Sequence, residues 1–159
     1  MHAQTIRGVT MATTSAGLTA AGAETVYDTA NVLHFAIGGK AYSKAAVTDG
    51  TTPTADVDGN TLATLTANQG CVLLWLINKS GTVGVAQSAV IDLDESGNFK
   101  KVPDFPYYDE DTWCPFAYQV LKAGSTAGTI TIGSSNWNAT GFTNAIQNVI
   151  GMPARPQVS

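Results

Sequence analysis

The run Cys71-Val-Leu-Leu-Trp-Leu-Ile77 limits what this chain can become more than any other segment. Every position in it is apolar, so it has no polar face to offer to water. Its seven residues fall far below the roughly 20 needed to cross a bilayer. It ends at the turn formers Asn78-Lys-Ser-Gly81. Such a run reads as a central β-strand buried on both sides. The rest of the chain agrees: short β-type runs are separated by Gly, Pro, Asn and Asp. Only 13% of the residues are charged, against roughly a quarter in ordinary globular domains. Thr, Ala, Gly and Ser fill the space, a composition suited to a surface that other chains will cover.

At 159 residues the chain fits one domain able to bury a sizeable core. The formal charge of −4 comes without a basic stripe, since the eight Lys and Arg are scattered from Arg7 to Arg155. Phosphate binding needs clustered cations that release counterions, so no nucleic-acid partner is expected. Cys71 and Cys114 have apolar neighbours and no metal-type spacing, which reads as free buried thiols, with a mutual disulfide left open. No charged stretch leads into an apolar one near Met1, so the expectation is synthesis and assembly in a cytoplasm, with no membrane partner.

Residues 1–30 are rich in Thr, Ala, Gly and Ser, with few large apolar groups to anchor them. They read either as a floppy terminus or as an extended N-terminal arm that orders only against a neighbouring subunit. Residues 31–159 read as the β-domain. Val32-Leu-His-Phe-Ala-Ile37, Gly38-Gly39 and the following Lys-Ala-Tyr-Ser form a hairpin that sets Phe35 opposite Tyr42. Residues 48–60 are a loop of turn formers, and Thr61–Thr66 alternates like a half-buried strand. Thr82–Gln87 is the hairpin partner of the central run, in a register that sets Trp75 opposite Gly84. Val90–Leu93 and Phe99–Val102 flank the turn Asp94–Asn98. A last hairpin joins Phe116–Lys122 to Thr129–Gly133. Phe142, Ile146, Val149 and Ile150 have helical spacing over a short span, and Met152–Pro156 must be extended.

Nucleophilic catalysis needs a base near a Ser or Cys, and the two histidines are His2 near the start and His34 inside a predicted strand. Asp92-Leu-Asp94-Glu-Ser96-Gly97 begins like a calcium loop, but Pro103 stands where the closing Glu should be. Asp56-Val-Asp58-Gly59 has the wrong glycine offset. Both read as turns in which Asp and Asn bond local amides. The acidic run Asp109-Glu110-Asp111 reads as a solvated loop, because adjacent carboxylates rarely flank a scissile bond. The most site-like group is aromatic. Phe105, Tyr107, Tyr108 and Trp113 either cap a sheet, meet a protein partner or stack on a glycan.

The layout resembles small structural proteins of tailed-bacteriophage heads, especially decoration (cement) proteins with jelly-roll folds. The resemblance rests on the Thr/Ala/Gly-rich start, Ile37-Gly-Gly-Lys-Ala-Tyr42, Asp58-Gly-Asn-Thr-Leu62, Trp137-Asn-Ala-Thr-Gly141 and Pro153-Ala-Arg-Pro156. It implies a non-enzymatic virion protein on the capsid surface, assembled in the bacterial host cytoplasm. The major capsid protein and further copies of itself, as a homotrimer, would be its partners, with no cofactor or metal. The alternative is a receptor- or glycan-binding head or tail-fibre module. The expected fold is all-β: a single-domain jelly roll or related β-sandwich, with the N-terminal arm and at most a short C-terminal helix. The arm and the Phe105–Trp113 loop are expected to carry the contacts.

Overall fold

The apolar run forms the middle of a ten-residue strand, and the remaining elements cover it from both sides. The computed structural model describes residues 8–158. Its strands, in chain order, are β1 (Met11–Ala12), β2 (Leu18–Thr19), β3 (Val26–Thr29), β4 (Leu33–Ile37), β5 (Lys40–Lys44), β6 (Val47–Thr51), β7 (Gln69–Asn78), β8 (Val83–Gln87), β9 (Ile91–Asp92), β10 (Trp113–Ala123) and β11 (Phe142–Asn148). Among the described residues there is no helix. The protein is all-β, and every strand pairing is antiparallel.

The largest sheet runs β11-β10-β7-β8, with β9 also paired to β7. Successive side chains of a strand point to opposite faces. Accordingly Cys71, Leu73, Trp75 and Ile77 enter one core, while Val72, Leu74 and Leu76 enter a second. β10 divides its side chains in the same way, with one interruption. A bulge between Pro115 and Ala117 leaves both Phe116 and Ala117 facing the first core. Pro115 has no N–H to give a ladder, and the irregularity accommodates it.

Two three-stranded sheets, β1-β4-β5 and β2-β3-β6, close the first core. The β4–β5 hairpin has the register read from the sequence, with Phe35 opposite Tyr42 and their rings stacked 5.7 Å apart. Among the described residues, no sheet lies over the second core. The aromatic connection and the C-terminal tail cover it instead, through Phe99, Phe105, Tyr108, Trp113, Met152 and Val158.

Five sequence expectations need correction. Residues 8–30 are not a detached arm, because β1 pairs with β4, β2 pairs with β3, and Ala12, Ala16, Leu18 and Ala20 are buried. Small side chains fill narrow gaps between sheets as effectively as large ones anchor wide gaps. Residues 1–7 of the expected arm lie outside the described residues. Trp75 faces Val85, and Gly84 faces Leu76. The turn carries Gly81 at φ +80°, and its Asn78 amide donates to the Thr82 carbonyl, which shifts the register by one residue.

Beyond β7, the strand that pairs with β10 is β11, in place of the expected Thr129–Gly133. Thr129–Gly133 instead lies against Leu65 through two backbone bonds, between Ile130 and Leu65, of 2.8 and 2.9 Å. There Ile130 and Ile132 join the first core. The 142–150 segment is extended rather than helical. Phe142 and Ile146 are four residues apart, a spacing that fits a strand period of two as well as a helical one. Thr61–Thr66 forms isolated bridges at Thr61 and Leu65 rather than a continuous strand.

Candidate functional site

The aromatic connection is held from beneath. Phe105 meets Tyr118 edge-on, with ring centroids 5.1 Å apart, and Pro103 is buried. Trp113 lies over Gly84, where an added Cβ would come within 3.1 Å of its ring and 2.6 Å of Val57. The missing side chain does make room for an indole, but the indole is Trp113 and not Trp75. Tyr108 is half-buried, and its hydroxyl is held above the usual tyrosine range by burial, then by Glu110 and Cys114. Asp109 closes the connection. Its carboxylate accepts from the Asp111 amide at 3.0 Å and the Thr112 hydroxyl at 2.8 Å, and its carbonyl accepts from the Trp113 amide at 2.8 Å.

The four aromatic candidates therefore separate. Phe105, Tyr108 and Trp113 pack against the second core. Tyr107 stands 84% exposed. A cleft of about 270 Å³ opens beside it, reached also by Phe105, Asp104, Lys101, Gln87 and the Asp56–Asp58 turn. The sequence reading did not join that turn to the aromatic loop. The link is the bond from the Val57 amide to the Val85 carbonyl, 2.9 Å, which brings residues 56–60 alongside β8.

The carboxylates read as turn formers bond their own loops. Asp56 Oδ1 accepts from the amides of Asp58 and Asn60, and Oδ2 accepts from the Asn60 side chain. Burial pushes its pKa up, but these bonds outweigh it and hold the group below the ordinary aspartate value. Asp94 accepts from the amides of Asn98 and Ser96 in the same way. The Asn98 amide is the main cause of its lowered pKa. Among the described residues no three His, Cys, Asp or Glu side chains gather in a group that could hold a metal ion. His34 lies on the exposed side of β4, opposite Ser43, and His2 falls outside the described residues.

Both cysteines are free and buried in the first core. Burial raises the Cys71 thiol to about 11, against a lowering hydrogen bond from Gln87, and burial raises Cys114 to about 12. Cys114 pairs with Ile77, six residues along β7 from Cys71. That is about 20 Å at a strand's rise per residue, far beyond the reach of a disulfide. At neutral pH neither thiol supplies a thiolate nucleophile.

No family model, curated protein or solved structure shows significant similarity to this chain.

Proposed function

We propose that this protein is a structural subunit of a tailed-phage virion, a decoration protein that binds the outside of the head and reinforces it. Tyr107 is the observation that carries the reading. The loop around it is fixed by Phe105, Pro103, Trp113 and the Asp109 bonds, so a partner would lose little loop entropy on docking. A large aromatic presented on a rigid support is the usual anchor of a protein interface. The low charge content and the doubly covered β7 suit a subunit that bears load. The jelly-roll type of sandwich, the major capsid protein as partner and the trimeric state belong to this proposal through the family resemblance.

The cleft beside Tyr107 favours a second reading, a glycan- or receptor-binding module. An aromatic platform flanked by Asp104, Gln87 and Lys101 can stack on a sugar ring and bond its hydroxyls.

One variant tests both. Tyr107→Ala leaves the melting temperature unchanged, because the side chain is already in water. Added to heads that lack the protein, it is expected to bind at least tenfold more weakly than the natural chain, an anchor loss of about 1.4 kcal/mol or more. Natural chain that fails to sediment with heads but binds oligosaccharides through Tyr107 would replace the first reading with the second.

A further inference from the structure

We infer that β11 is a self-association edge, at which two copies of this chain pair antiparallel and continue the large sheet from one molecule into the other. The inference goes beyond the decoration reading and stands without it, and a dimer at this edge replaces the trimeric state carried over by the family resemblance.

The sheet edges are finished in different ways. An unpaired strand exposes a row of N–H and C=O groups, and monomeric proteins blunt such edges with charge, proline, irregularity, brevity or a covering loop. β8 is covered: its Val85 carbonyl accepts from Val57, and the Gln87 side chain bonds both the amide and the carbonyl of Ala63. β5 carries Lys40 and Lys44 at its ends. Self-pairing about Tyr42 would set these lysines against one another. β6 is bent by Asp49 at φ +52° and by a register shift against β3. β1, β2 and β9 are two residues each.

Among the described residues, β11 shows none of these devices along residues 143–147; at its end the Leu18 amide donates to Asn148 Oδ1 at 2.8 Å. It runs seven residues, Phe-Thr-Asn-Ala-Ile-Gln-Asn, with no charge and no proline. Among the described residues it pairs only with β10, and the backbone bonds outside that ladder do not involve residues 143–147. Thr143, Ala145 and Gln147 are exposed beside a groove of about 220 Å³ shared with Val120, Lys122 and Val158. The sequence is also self-complementary. With Ala145 on a two-fold axis, Thr143 meets Gln147 of the partner subunit and Asn144 meets Ile146 of the partner subunit. No like charges oppose, and a small residue stands where the two strands face themselves. An isologous contact of this kind closes as a dimer.

The native mass of the full chain measures this directly, with two variants. The natural protein is expected at twice its 16.5 kDa chain mass. Ala145→Lys sets two ammonium groups against each other on the axis and is expected to give a folded monomer whose melting temperature no longer depends on protein concentration. Ala145→Cys is expected to form a disulfide-linked dimer on mild oxidation, because Cys71 and Cys114 are buried and do not compete. A natural chain that stays monomeric at high concentration overturns the inference, as does a dimer that survives Ala145→Lys. If Ala145→Lys fails to fold, Ala145→Cys decides alone: a dimeric mass without the cross-link rejects this edge.

Discussion

Gln119 sits wholly buried in the large sheet with its amide half satisfied. Trp75 Nε1 donates to its Oε1 at 2.7 Å, while its Nε2 has no partner among the described residues. An indole N–H can only donate, so the tryptophan fixes which way the amide points. Trp75→Phe or Gln119→Leu alone leaves a buried polar group unpaired and should cost about 1–3 kcal/mol. The double variant should cost less than the sum of the two, as a thermal or denaturant double-mutant cycle would show. A strictly additive result would mean that the bond contributes nothing. The thiols set a pH limit of their own. Cys71 and Cys114 titrate above their ordinary value of 9.0 in the folded state. Above that value the unfolded chain releases thiol protons that the folded chain keeps. Their contribution is therefore complete below pH 9 and is lost as pH rises through about 11 and 12, by up to about 1.4 kcal/mol per unit per thiol. Melting temperatures followed upward from pH 8 should fall along that course, and less steeply in Cys71→Ala than in the natural protein.

At the scale of elements, the N-terminal segment departs most from its reading. Residues 8–30 supply β1, β2, β3 and the Tyr27 ring, which packs on Trp75 with centroids 4.9 Å apart. Deleting residues 1–30 should expose the first core and abolish the cooperative unfolding transition, measured by near-UV circular dichroism during a melt. A deletion that melts like the full chain would show that β4, β5 and β6 close that core unaided. The sequence made the β4–β5 hairpin legible because its signals are local: a Gly-Gly turn and an alternation of two. It made β7 legible because nothing but burial explains seven apolar residues in a row. β11 and the Ile130–Leu65 contact were hidden for the opposite reason. Their partners lie far along the chain, and no turn chemistry distinguishes one return strand from another. The candidate loop was legible as a cluster of rings. Which ring remains outside depends on Gly84 and Tyr118, and no local pattern connects those positions to the loop.

For the whole molecule, a single sheet stands between two cores, one closed by strands and one by an aromatic loop and an extended tail. The tail is fastened where the Gln157 amide donates to the Tyr118 hydroxyl at 3.0 Å. Tyr118 also supports Phe105, so loop and tail share one support. The surface that presents Tyr107 is thus coupled to the middle of the protein, which suits the proposed role of a subunit holding a shell together. The proposed role is that of a repeated part of such a shell. Quantitative mass spectrometry of purified heads, made in cells that express the gene from its natural setting, tests this most directly. That role predicts many copies per head, in a fixed small-integer ratio to the major shell protein. A protein absent from the particles, or present only at trace level after washing, would contradict it.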